Sequence, residues 1–133
     1  MKKLKLISAI ALASLTLFSC DNKDDDSSEA SIEGKWKIHE VKRNNILQPL
    51  TDCEDQQTIE FTPTNFITTH YSGPNCENID DVSSALYSLN GESLTIHYTT
   101  DDSEVITVKE LTNSTLKLKV YAGTNVIEPT YKR

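Results

Sequence analysis

The sequence predicts an all-β domain, an eight-stranded antiparallel up-and-down barrel covering residues 34–133. Three observations predict it. From Gly34 onward, apolar residues alternate with polar ones rather than recurring at helical spacing. Three apolar pairs, each five positions apart, flank short polar turns: Phe61 and Phe66, Leu89 and Leu94, Leu111 and Leu116. In tight hairpins the members of each pair face one another across the ladder. Finally, the loops are asymmetric. The three short turns follow the second, fourth and sixth strands, so a meander gathers them at one end. The opposite end carries two long connections, 44–56 and 72–83, and two shorter ones. A trimmed floor and a looped mouth suit a barrel.

The strands fall at 35–43, 57–61, 65–71, 84–89, 93–99, 104–111, 115–121 and 126–133. Asn90-Gly91 is the strongest single turn signal among the connections. No stretch makes a convincing long helix, although 80–86 has room for one helical turn. The sixth strand reads two ways. Leu111 argues for Val105 and Thr107 inside, whereas Ile106 and Val108 form the more apolar face. A β-bulge would reconcile the two.

A leader precedes the domain. Lys2, Lys3 and Lys5 open it, residues 6–18 are apolar, and charge returns at Asp21. The apolar run is shorter than the ~20 residues that span a bilayer, and its flanks are those of a signal peptide. Leu17-Phe18-Ser19-Cys20 resembles the lipobox of bacterial lipoproteins, with an ordinary cleaved signal and a chance thiol as the alternative. The resemblance implies removal of residues 1–19 and acylation of Cys20, whose chains anchor the protein at ~0.8 kcal/mol per buried methylene. Residues 20–33 read as the lipidated Cys20 and a disordered acidic tether. Within it, Lys23-Asp24-Asp25-Asp26 resembles the acidic signal behind the lipid-bearing Cys of surface-exposed lipoproteins in the Bacteroidetes group. That implies the outer membrane and exposure at the cell surface. A plain solvated spacer, with the domain facing the periplasm, is the alternative.

The formal charge of the whole chain is −7. Cutting after Ser19 removes three lysines and no acids, leaving 10 basic against 20 acidic residues and a net charge of −10. So acidic a protein is a poor partner for nucleic acid. The 114 residues that remain suffice for one domain. With Cys20 lipidated, two cysteines are left. Cys53 lies in the first long loop and Cys76 in the second, both at the mouth by strand parity, and the compartment is oxidising. They are expected to form a disulfide worth ~3 kcal/mol on the loop-entropy account. A metal site built on the two cysteines lacks histidines at ligand spacing, and no cofactor is expected.

Gly34-Lys35-Trp36 opens the first strand. Gly-x-Trp at that place, on about 100 residues with eight strands, resembles the lipocalins, and more narrowly the short lipocalin-like domains of bacterial lipoproteins. The resemblance implies that Trp36 plugs the barrel floor beneath an Arg from the last strand, for which Arg133 is the candidate. The chain departs from the larger family in its short strands and in lacking the long helix after the barrel. An immunoglobulin-like sandwich is disfavoured because Trp36 precedes both cysteines.

No nucleophile elbow, phosphate loop or zinc motif is present, and the protein is not expected to be an enzyme. His39 and His97 should face outward. Counting inward from Phe66 and Leu94 places His70 and Tyr98 in the upper barrel, with Tyr87 midway down. These three are the candidate ligand contacts, a hydrogen-bonded wall pair of His70 and Tyr98 being the alternative. Nine carboxylates, from Asp52 to Glu104, gather at the mouth. They read as a solvated rim, against a divalent-cation site or attraction of a cationic ligand. The expected function is a membrane-anchored, monomeric binding protein for a small, mostly apolar molecule. The rival is a cell-surface protein-interaction or inhibitor module whose barrel is filled by side chains.

Overall fold

The computed structural model describes residues 29–51 and 53–133. The leader, Cys20, the tether through residue 28 and Asp52 lie outside the described residues. The chain forms nine strands: β1 (Gly34–Arg43), β2 (Ile46–Gln48), β3 (Thr58–Phe61), β4 (Asn65–Ser72), β5 (Asn78–Asn90), β6 (Ser93–His97), β7 (Ser103–Leu111), β8 (Thr115–Ala122) and β9 (Asn125–Lys132). They make one antiparallel sheet in which β1 also pairs with β9. That pairing closes an eight-stranded barrel, with β2 as a short extra arm on the mouth end of β1.

All three apolar pairs stand opposite one another: Phe61 and Phe66, Leu89 and Leu94, Leu111 and Leu116. The turns between them lie at one end, the floor. The sixth predicted strand, now β7, resolves as a bulged strand. Ile106 and Val108 are buried and Val105 is exposed. The register shifts between Val108 and Glu110, which lets Leu111 rejoin the inner face.

The structure departs from the sequence reading at the mouth. Asn44 and Asn45 both take positive φ, 49° and 67°, a conformation Asn tolerates and two-residue hairpins require. This turn sends β2 back along β1, through a stretch read as irregular. β5 begins at Asn78, and the segment read as room for a helical turn is paired with β4 instead. Pairing to a neighbour outweighs the weak strand preference of its Asn, Asp and Ser residues. Between Asn78 and Ala85 β5 pairs only with β4, since β6 meets it from Leu86 onward. Asp80 and Asp81 put charge on that free edge, which discourages strand addition.

The floor half of the barrel is solid. Trp36, Phe61, Leu94, Ile96 and Leu116 are fully buried, each contributing roughly 1.5–3 kcal/mol by leaving water. Phe61 packs on Phe66 and Tyr87 with ring centroids 5.1 and 5.0 Å apart. The packed domain begins earlier than Gly34. Ile32, assigned above to the tether, is 5% exposed within the core, and its carbonyl accepts a hydrogen bond from Trp36 Nε1 at 2.8 Å.

Arg133 locks this end. Its guanidinium lies 3.9 Å from the Trp36 ring centroid. Nη1 donates to the Glu33 carbonyl at 2.6 Å, Nη2 to the Ser31 carbonyl at 3.0 Å and Nε to the Asn113 carbonyl at 2.8 Å. Two features favour glycine at position 34 beside it. Its φ is +119°, and a Cβ there would sit 2.8 Å from Arg133 Nη1. The Gly-x-Trp motif thus has a physical meaning: Trp fills the floor, and Gly lets the arginine lie over it.

Candidate functional site

Above this solid floor the barrel opens, and a bulge in β1 sets the geometry. The register with β9 shifts between Ile38 and Glu40. Trp36 and Ile38 face inward below the bulge. Above it Val41 and Arg43 line the mouth cavity, while Glu40 and Lys42 line a charged groove with Lys109, Glu110 and Glu128. Opposite them on β9, Tyr131 pairs with Ile38, Pro129 with Val41 and Ile127 with Arg43. The inner wall of the mouth is therefore apolar along Ile38, Val41, Ile127 and Pro129, and ends in a cation.

The segment after β2 folds over this wall. Gln48, Pro49, Leu50 and Thr51 form the far side of a half-open cavity of about 480 Å³. Two devices hold the cover in place. Asn44 ties the β1–β2 turn to β9: its N–H donates to the Val126 carbonyl at 2.8 Å, and its Oδ1 accepts from the Val126 N–H at 2.8 Å. The second is the disulfide. Cys53 and Cys76 are bonded, with Cα atoms 5.4 Å apart. Cys53 precedes a short 3-10 turn, Glu54–Gln56, and Cys76 lies in the β4–β5 connection, so the bond straps the first mouth loop to the second. A polar cleft of about 520 Å³ surrounds the strap.

The cavity has a deeper annex. A chamber of about 120 Å³ is lined by Gln57, Ile59, Phe66, Thr68, His70 and Tyr131, among others. Gln57 and Tyr131 line both chambers and mark the passage between them. Gln57, His70 and Tyr131 have no side-chain hydrogen-bond partner among the described residues, while no sealed polar side-chain atom there is left orphaned. Their free polar atoms therefore open onto the cavity. Burial alone pushes the Tyr131 hydroxyl up to about 12, so it is a neutral donor at any physiological pH.

The sequence-derived contacts separate in space. His70 lines the inner chamber. Tyr87 is spent on the floor: its hydroxyl donates to the Thr62 carbonyl at 2.7 Å. Partial burial, and then the Glu33 charge, hold that hydroxyl above its ordinary range. Tyr98 does not line the barrel. β6 stops at His97, and Tyr98 lies beyond it, 51% exposed, donating to Glu104 at 3.0 Å. The inward count from Leu94 fails there because the loop to β7 breaks the strand period. The expected His70–Tyr98 pair is thus not formed. His39 and His97 are exposed.

Tyr131, Gln57 and Arg43 were missed. Tyr131 was readable: it pairs with Leu116, an inward anchor already identified. Arg43 was not, because the bulge reverses the parity of β1 past Ile38. At the rim, Glu54 accepts from the Thr51 N–H and hydroxyl at 2.9 and 3.1 Å, and these bonds lower its pKa. Among the described residues, no group of three or more His, Cys, Asp or Glu is arranged to hold a metal ion.

Residues 32–118 match the family model of the lipocalin-like domain. The fold is shared with a lipocalin-like protein from Bacteroides uniformis, at 15% identity and a TM-score of 0.58, covering 76% of this chain and 96% of that one. An uncharacterized protein from Bacteroides eggerthii is similar at 13% identity and a TM-score of 0.57, covering 77% of this chain and 100% of that one. No curated protein matches the chain.

Proposed function

We propose that this chain, which belongs to the lipocalin-like domain family, works as a binding protein that takes a small, mostly apolar molecule into the mouth of its barrel. One observation carries the reading: the barrel is packed solid below and opens above into a cavity of about 480 Å³ with an apolar wall along Ile38, Val41, Ile127 and Pro129, faced by polar groups that include Arg43, Gln48 and Glu54. That volume is within the ~300–1,000 Å³ range of small-molecule sites. The walls of this cavity come from strands and its cover is strapped by a disulfide, so the space is preformed and little ordering opposes binding. A binding role rather than a catalytic one fits the unpaired polar groups, which include no nucleophile held against a base.

The reading includes a lipid anchor at Cys20 and a place at the outer membrane surface, which rest on the lipobox-like leader and the acidic run behind it. No helix among the described residues is long and apolar enough to cross a membrane. The floor, where the tether enters, carries Lys35, Lys132 and Arg133, and an anionic surface would draw it in by ~1 kcal/mol per adjacent basic residue.

The test is binding of the neutral fluorescent probe N-phenylnaphthylamine to the wild type and to Val41→Trp, which fills the cavity. The wild type should bind and the variant should not. Equal binding by both would refute the cavity as the site. A protein-docking role draws on a different observation. Val82, Leu86 and Val105 stand exposed on the outer face of β5 and β7. It predicts that Leu86→Lys abolishes partner capture from the native envelope while leaving probe binding intact.

A further inference from the structure

We infer that the ligand enters polar end first and carries an uncharged hydrogen-bond acceptor, such as a ketone, ester or amide carbonyl, that receives the Tyr131 hydroxyl at the passage to the inner chamber. The inference rests on the cavity being the binding site and adds the chemistry of the molecule it takes. Along β9, Ile127 at the mouth and Tyr131 at the passage are four residues apart, a depth of ~13 Å at ordinary strand rise. The wall between them is apolar, through Ile38, Val41 and Pro129. A purely apolar ligand would leave the Tyr131 hydroxyl unpaired and cut off from water, at a penalty of ~1–3 kcal/mol.

Around that hydroxyl the inner chamber offers Gln57 and His70, also without side-chain partners among the described residues, and no lysine or arginine lines it. A carboxylate pushed to this depth would shed its hydration shell without meeting a permanent cation, a heavy penalty for a charged group. Arg43, the one cation lining the cavity, sits at the rim, and the Glu54 carboxylate lines the same cavity. A neutral carbonyl needs only what is present. The phenol supplies the donor, and the amide of Gln57 can meet a second polar atom. The chamber, about 120 Å³, has room for such a head but not for the body of the ligand, which remains in the outer cavity against its apolar wall of Ile38, Val41, Ile127 and Pro129.

The experiment compares three probes matched in carbon count: methyl octyl ketone, decane and decanoate. They are titrated into the full chain carrying Cys20→Ser, so that no acyl chain competes. The same titrations are run with Tyr131→Phe and with Val41→Trp added. Tyr131→Phe removes only the hydroxyl, and its thermal transition confirms folding. The ketone should lose about three- to tenfold in affinity in Tyr131→Phe, the size of one neutral hydrogen bond, while decane should bind more tightly, by about fivefold or more, because no hydroxyl is then left unpaired. The infrared carbonyl stretch of the bound ketone should move to lower frequency in the wild type and not in Tyr131→Phe. Equal ketone affinity in the wild type and Tyr131→Phe, or decanoate as the tightest probe, overturns the inference while Val41→Trp still blocks all three. If Val41→Trp weakens none of them, the cavity reading itself falls.

Discussion

The arginine over the floor tryptophan can be tested by replacing it with a side chain of similar reach and no charge, Arg133→Met. The methionine still covers Trp36, so the change isolates the guanidinium. Three hydrogen bonds are lost, to the carbonyls of Ser31, Glu33 and Asn113. The guanidinium is exposed and these carbonyls can turn to water, so each bond is worth about 0.5–1 kcal/mol rather than the larger figure for buried charged groups. The contact with the Trp36 face adds about 0.5–1 kcal/mol. The expected destabilisation is about 2–4 kcal/mol. For a domain near 100 residues each kcal/mol moves Tm by about 4–8 °C, so a fall of about 8–32 °C is expected. Gly34→Ala makes the control. Alone it suffers both its positive φ and the approach of Arg133 Nη1 at 2.8 Å. In the Arg133→Met background only the backbone penalty of ~1–3 kcal/mol remains, and the two changes together should therefore be less than additive. The assay is thermal unfolding by circular dichroism under non-reducing conditions. A fall of less than about 4 °C for Arg133→Met, or strict additivity with Gly34→Ala, would refute the clamp.

Other outcomes follow from the same geometry. Cys53→Ser with Cys76→Ser should destabilise by about 3 kcal/mol on the loop-entropy account, and amide exchange should rise at Thr51, Gln57 and Gly73 while the floor strands stay protected. Tyr131 gives a signature at high pH. Its hydroxyl is pushed up to about 12 in the folded chain against ~10 unfolded. The unfolded state therefore loses its proton first, and stability is full below ~pH 10 and falls by about 2–3 kcal/mol toward pH 12. Tyr131→Phe should flatten that decline, measured by urea unfolding at stepped pH. On lipidated protein in anionic vesicles at low salt, a spin label at Asn90, in the floor turn, should lie closer to the bilayer than one at Asn78, at the mouth end of β5. The reverse would overturn the proposed orientation.

The parts of this fold that were legible in the sequence are those where a short-range rule operates. The pairs Phe61 with Phe66, Leu89 with Leu94 and Leu111 with Leu116 were readable because a tight turn leaves one register available. Strand parity then carried Cys53 and Cys76 to the same end. What escaped was set by departures from regular alternation. The bulge after Ile38 turns Val41 and Arg43 toward the cavity, against the count from Trp36. The end of β6 at His97 takes Tyr98 out of the wall. The polar first half of β5 owes its strand conformation to β4, which no local pattern announces. Half of the candidate site was readable: Tyr131 lies on β9, whose inward face follows from Leu116, and Gln57 stands just ahead of β3, in step with Ile59 and Phe61. Only His70 was reached by counting.

The floor clamp also decides how the domain bears a mechanical load. A pull on the chain ahead of Ser31 arrives at the N-terminal end of β1, which meets β3 through four residue pairs only, Gly34 to Lys37. Loaded directly, such a short ladder would unzip one rung at a time. The guanidinium of Arg133 instead grips the incoming segment at two carbonyls and the β7–β8 turn at a third, and Trp36 holds Ile32 beside them. Force is thereby shared in parallel and passed across the base of the barrel to the strands on its far side. The clamp acts as strain relief where the chain enters the barrel, leaving the ladder of β1 and the cavity above it unloaded until those four bonds give way together.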